Sequence, residues 1–513
     1  MHSSSASKRK RAPHGGGGTG GRARRWSRSR LPNPFQRQLA ATTIQRGSAM
    51  EEVEIIETVL VYPSPSPFPG PRGDGYASLP LSHIDTDRNL HVTVRTLRAY
   101  AGSIRSPSPG PPPAPPPPDP YHVITEALSK ALFHYYPVVG TLFRRDPDAR
   151  LEVRCAEGQG VPVTRALSPR TLPSLGYLDD PVSPFLDRLV PDPVSGEELE
   201  HPLAVQVTRF ACGGFSLGVC FHHAMCDGAG ATLFLRAVAE IARGAAAPGV
   251  EPVWDRAALL GPREPPRVDV DFTQFLGTRG ELSDPYEGED GEGGAISREC
   301  FHISETCVER FKARLLEESG SSSFTTFEAL GAFIWRARVK AYGVPSGAKV
   351  KFAYSMNVRK LLKPALPAGY WGNGCVPVYV QMSAGDLVER TLWETAELIK
   401  RSKRGVTEEY VRSFVDFQEL HYAEGISAGE GVSGFTDWRH LGHSAVDFGW
   451  GGPVTVLPLS FKLLGSREPC FFLPYAAVGG VKVDGFKALV SLPTDAMPAF
   501  RVEMEMFSGR GDL

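Results

Sequence analysis

Residues 204–244 constrain the fold of this chain more than any other stretch. Ala204 to Phe210 and Phe215 to Phe221 are apolar runs of strand length separated by Cys212-Gly213-Gly214. Such runs around a glycine turn predict an antiparallel hairpin. Beyond Gly228 the apolar residues fall at 233, 234, 237, 238 and 241, one face of a helix, and Gly244 follows as a stop. A buried hairpin feeding an amphipathic helix is the unit of an α/β layer, in which the helix covers a sheet. The alternation recurs elsewhere. Val53, Ile55, Ile56, Val59, Leu60 and Val61 predict a strand. Val123, Ile124, Ala127, Leu128, Ala131 and Leu132 share a helical face that Pro137 stops, and Phe327, Leu330, Phe333 and Ile334 mark a further helix.

At about 150 residues per domain, 513 residues allow about three domains or two large ones. With 27 Phe, 15 Tyr and 7 Trp the chain can build sizeable cores. Residues 1–49 hold eleven Lys or Arg and no acid, and show no apolar periodicity. They are expected to be a disordered basic leader, either dispensable or a targeting segment of transit-peptide or nuclear type. Their removal leaves 45 basic and 57 acidic residues, a net charge of -12 on 50–513. An acidic body argues against nucleic-acid binding, which needs cationic surface. From Ser106 to Pro120, ten of fifteen residues are proline, which predicts a stiff polyproline II insertion. Residues 245–298 carry repeated Pro and Gly and then the acids Glu281, Asp284, Glu287, Glu289, Asp290 and Glu292. They read as a solvated connector between parts at 50–244 and 299–513. The eight cysteines form no CxxC pair and suit reduced thiols in a cytoplasmic protein. No run of about 18 apolar residues is present, so no membrane span is expected.

His223-Ala224-Met225-Cys226-Asp227-Gly228 stands where the second hairpin strand ends and the helix begins. A strand end fixes the backbone while the turn beyond it exposes the side chain. An imidazole there can take a proton from an alcohol or amine near neutral pH. Gly228 is expected to let the chain turn tightly. The spelling HxxxD occurs three times, at His83–Asp87, His223–Asp227 and His443–Asp447, and only the middle one has the trailing glycine and this setting. A metal site from His222, His223 and Asp227 is disfavoured because adjacent residues on a strand face opposite ways. A second unusual run is Asp447-Phe448-Gly449-Trp450-Gly451, in which two glycines alternate with two aromatics behind one acid.

The pair HxxxDG and DFGWG, about 220 residues apart, resembles the plant BAHD acyl-CoA-dependent acyltransferases. The resemblance extends over 50–513. It includes Leu81-Ser82-His83-Ile84-Asp85, Tyr135-Tyr136-Pro137-Val138-Val139-Gly140, Gln206-Val207-Thr208-Arg209-Phe210, Gly369-Tyr370-Trp371-Gly372-Asn373 and Thr436-Asp437-Trp438-Arg439. Cys212-Gly213-Gly214-Phe215 and Thr325-Thr326-Phe327-Glu328 are most similar to spermidine hydroxycinnamoyl transferases. Taxane acetyltransferases share the Phe221-His222-His223 lead-in.

The resemblance implies an α/β fold of two similar-sized domains with mixed sheets flanked by helices, like chloramphenicol acetyltransferase. A long crossover joins them and a channel runs between them. It implies acyl-CoA as co-substrate, an amine or alcohol acceptor such as spermidine, no resident cofactor or metal, and a monomer. His223 and Asp447 are then the expected catalytic residues. Asp227, Gly228, Arg359, Gly449, Trp450 and Gly451 are the expected supports. Asp227 would pair with Arg359, and the Trp450 indole N–H or nearby backbone N–H groups would serve as oxyanion donors. Residues holding the CoA phosphates are not assigned. Rival readings are an O-acetyl- or benzoyltransferase acting on an alcohol, a non-catalytic acyl-CoA-binding homologue, and a condensation-type domain sharing HxxxDG.

Overall fold

The hairpin at 204–221 forms the middle of a six-stranded sheet. The computed structural model describes residues 52–67, 76–102, 118–146, 148–192, 197–278, 295–477 and 484–508. The basic leader, most of the proline run and the acids at 281–292 lie outside the described residues. Five strands of the first sheet come from the first half: β1 (Glu54–Val61), β2 (Thr93–Tyr100), β3 (Val161–Ser168), β4 (Leu203–Phe210) and β5 (Phe215–His222). Their spatial order is β1-β3-β4-β5-β2. Only the β3–β4 pair is parallel, so the sheet is mixed. Every residue of β5 is buried, as its mostly apolar spelling suits a central strand covered on both faces.

Two helices cover this sheet. Helix α1 (Pro120–His134) starts where Asp119 accepts the Tyr121 N–H and Pro120 takes the first turn. Helix α2 (Gly228–Ala242) packs on α1, and past its end Gly244 adopts a φ of 98°. Phe234, Leu235, Val238 and Ile241 put the apolar face of α2 into the core shared with Val205, Leu217 and Val219.

The second half builds a matching layer. Its mixed sheet has the order β6-β12-β11-β9-β7-β8. These strands are β6 (Ile296–Ile303), β7 (Lys349–Asn357), β8 (Cys375–Ser383), β9 (Val432–Asp437), β11 (Cys470–Leu473) and β12 (Phe486–Pro493). Helices α3 (Thr326–Tyr342) and α4 (Leu392–Gly405) lie against it, each opened by a capping box. The fold is thus the expected pair of mixed α/β layers.

Two details differ from the boundaries expected from the sequence. Strand β10 (Thr455–Pro458) leaves the second half and pairs antiparallel with β2, setting Leu457 opposite Leu97 and completing the first sheet. The described part of the connector, 245–278, is pinned to the body at several buried points and is not solvated throughout. Trp254 packs edge-on against Trp371, Arg256 is 2% exposed, and Leu260, Phe272 and Leu276 enter the second core. Apolar residues scattered between prolines escape a periodicity search, yet each buries its own surface.

Candidate active site

His223 follows the last residue of β5 and opens a one-turn 3₁₀ segment, His223–Met225. Its backbone is held on both sides. The His223 N–H donates to the Val92 carbonyl at 2.8 Å, and its carbonyl accepts from Asn373 Nδ2 at 2.8 Å. Two residues on, the Met225 carbonyl accepts from Arg256 Nη1 at 2.8 Å. Asn373 is itself set by the fully buried Asp85, whose Oδ1 accepts from the Asn373 N–H at 2.7 Å and Nδ2 at 2.8 Å. Asp85 Oδ2 accepts from Ser82 Oγ at 2.7 Å and faces Arg256 Nη1 at 3.4 Å. Asp85, Asn373 and Arg256 therefore clamp the turn, a part that sequence reasoning did not assign to them. The legible signal was short polar runs inside apolar surroundings.

The His223 ring is half-buried and lines a cavity of about 490 Å³. Its Nδ1 is sealed and has no partner among the described residues, which leaves Nε2 for the cavity. The walls come from both layers: Thr96 of β2 and Phe221 of β5 on one side, Tyr354 of β7 and Thr436 of β9 on the other. His222 is buried, and its Nδ1 accepts the Ala224 N–H at 3.3 Å. Burial first, and then the neighbouring His223, push the His222 imidazole down to about 3. Among the described residues no group of three metal-ligating side chains occurs.

Asp227 is the N-cap of α2, accepting the Gly230 N–H at 2.8 Å. Its carboxylate also meets Arg359, just beyond β7, in a bidentate pair of 2.8 and 2.9 Å, and takes the Gly374 N–H at 3.0 Å. Burial alone would raise the Asp227 carboxyl. The Arg359 charge and these N–H groups outweigh it and hold the group below the usual carboxylate range. The pair ties the turn carrying His223 to the second layer. The expected tight turn at Gly228 is absent: it is the first residue of α2 and has no positive φ. The close approach falls at Gly230, where a Cβ would lie 1.9 Å from the Trp371 carbonyl oxygen.

The structure separates the DFGWG loop from His223. Asp447 is half-buried, and its Oδ1 accepts the N–H groups of Gly449 at 2.8 Å and Gly451 at 2.9 Å. Those glycines have φ of 106° and 86°, which a side chain would strain. Phe448 packs edge-on against Tyr100, and Trp450 against Phe215. Phe215 begins β5 and His223 follows its end, so eight residues put roughly 26 Å between them. Helix α2 gives a second measure. Arg243 past its C-terminus donates to the Asp447 carbonyl, and its fifteen residues span about 22 Å from the His223 turn. The structure thus does not bring these two residues together with His223: Asp447 fastens its own loop, and the Trp450 indole packs on Phe215 at the far end of β5.

The other two HxxxD spellings each send one residue to the cavity. Asp87 lines it, raised by burial. His443 lines it too, with Nδ1 3.4 Å from Thr232 Oγ1 and its ring 5.7 Å from that of Trp438. Burial, then the nearby Arg98, push His443 down to about 3.

A family model described as "Transferase family" matches residues 51–507. The chain is 35% identical to 3'-N-debenzoyl-2'-deoxytaxol N-benzoyltransferase of Taxus canadensis, over 75% of this chain and 84% of that protein. It is 33% identical to spermidine coumaroyl-CoA acyltransferase of Arabidopsis thaliana, over 83% and 91%. Among solved structures it is similar to F. graminearum TRI101 complexed with ethyl coenzyme A. That match has a TM-score of 0.65 and 17% identity, covers 83% of this chain and 97% of that one, and shows the same fold.

Proposed function

Because the chain belongs to the BAHD transferase family and is thus an acyl-CoA-dependent acyltransferase, we propose that it moves an aromatic acyl group, hydroxycinnamoyl or benzoyl, from CoA to an amine or alcohol. Spermidine is one such amine. One observation carries the reading: the His223 ring opens on a cavity walled by both layers, where two substrates can meet at one nitrogen. Both relatives compared above are named for aromatic acyl groups, and each name points to a nitrogen acceptor. The eight free thiols suit a reducing compartment such as the cytoplasm.

A thioester is already activated, so the chain needs no nucleophile of its own. The acceptor N–H or O–H gives its proton to His223 Nε2 as its lone pair attacks the thioester carbonyl carbon. The tetrahedral oxyanion then collapses, the C–S bond breaks, and His223 returns the proton to the CoA thiolate. Donors to that oxyanion belong in the cavity wall, where Thr436 and Trp438 stand. Asp227 and Arg359 act only by holding the turn.

The test is a donor-by-acceptor panel read by mass spectrometry. Hydroxycinnamoyl-, benzoyl-, acetyl- and malonyl-CoA are offered with spermidine and with simple alcohols. An aromatic donor should give acylated product and free CoA. Folded protein that releases no CoA from any pair would be a binder, and preference for acetyl-CoA would exclude the aromatic donor.

A further inference from the structure

Arg98 lies on β2 between β5 and β10, is 2% exposed, and lines the cavity that His223 opens on. Its Nη1 donates to Thr96 Oγ1 at 3.2 Å, while its Nε has no acceptor. Among the described residues no carboxylate pairs with it. Three other charges on the same walls are matched: Asp227 by Arg359 at 2.8 Å, Asp437 by Arg439 at 2.6 Å, and Lys403 by Glu328 at 2.8 Å. Beside Arg98, His443 Nε2 is a second buried nitrogen without a partner.

A guanidinium does not give up its proton in a protein, and a buried charge without a counter-ion is strongly unfavourable. Its planar fork fits the two oxygens of a carboxylate. We propose that Arg98 anchors a carboxylate carried by the substrate, either on the transferred acyl group or on the acceptor. This rests on the acyl-transfer reading: a carboxylate on the acceptor turns that class away from polycations, and one on the acyl group makes the donor a dicarboxylic acyl-CoA. The site's place sets the length of the ligand. The His223 N–H meets Val92, and Thr96 lies four residues along the strand, so the anchor is roughly 13 Å from the reacting turn. A spacer of roughly eight to ten chain atoms bridges that gap.

The experiment compares the full chain with Arg98→Met and Arg98→Lys. In the donor arm, suberyl- and sebacyl-CoA compete with octanoyl- and decanoyl-CoA for a neutral alcohol, and malonyl-CoA serves as the donor too short to reach. In the acceptor arm, ω-hydroxyalkanoates of about six to ten carbons compete with their methyl esters for p-coumaroyl-CoA. One arm should favour the acid on the order of 100-fold in kcat/KM. Arg98→Met should erase that preference and keep turnover of the neutral partner, while Arg98→Lys keeps part of it. CoA affinity should not change. Free suberate should raise the melting point of the wild type and not that of Arg98→Met. Without ligand, Arg98→Met should melt at the same temperature or higher, because an unmatched charge has been removed.

Neutral substrates turning over with no acid preference in either arm overturn the anchor. So does an Arg98→Met variant that melts lower and loses acid and ester alike, since Arg98 would then be structural. If the wild type turns over nothing, the acyl-transfer reading fails, and the suberate shift decides the anchor alone.

Discussion

The loops at 223–228 and 447–451 each pair an aspartate with glycine at opposite ends of the same strand, β5, yet they work in opposite directions. Asp227 reaches across to Arg359 in the other layer, so the side chain before it is free to face the cavity. Asp447 folds back on amides two and four residues ahead, and its aromatics press into the sheet. A carboxylate that spans layers positions chemistry, whereas one that closes its own loop makes a local fastening.

Substitution at His223 tests this contrast most severely. His223→Ala should lower kcat by about 10²–10⁴-fold with an unchanged melting point. A folded variant with near-normal turnover would remove the loop from the mechanism. Asp227→Ala comes next. It leaves Arg359 buried without its counter-charge, so unfolding free energy should fall by about 3–5 kcal/mol in denaturant titration, with activity lost alongside. Asp447→Ala gives up two amide bonds. It should cost about 1–3 kcal/mol while kcat per folded molecule stays near wild type. Lost turnover at an unchanged melting point would instead return Asp447 to the chemistry.

The smallest expected effect is acid sensitivity. His222 adjoins the first loop and His443 precedes the second, and both sit at about 3 when folded, against about 6.5 unfolded. The unfolded chain therefore binds these protons first. Stability is full above about pH 7 and declines as the pH falls from 6.5 toward 3. Between pH 7 and 6 each should cost less than about 1 kcal/mol, read as a lowered melting point that His222→Asn or His443→Asn makes shallower.

The layers were legible because their residues repeat with the period of the element. β5 is mostly apolar and α2 keeps one apolar face, and the structure places both within a residue or two of the predicted ends. The position of His223 at a strand end was legible for the same reason. The clamp around it was not, since Asp85, Asn373 and Arg256 come from three separate stretches and meet only through tertiary packing. The DFGWG loop is a related case. An unusual spelling signals that a backbone is constrained, but not whether a substrate constrains it. Arg98 was hidden because a lone arginine in a strand reads as an outward charge until its neighbours are known.

Strand β10 has a consequence for biogenesis. The first sheet cannot be finished until residues 455–458 have left the ribosome, although its other five strands are synthesised before residue 223. During nearly half of translation, β2 presents an open hydrogen-bonding edge. A fragment that ends at residue 244 keeps that edge for good, so it should self-associate where the complete chain does not.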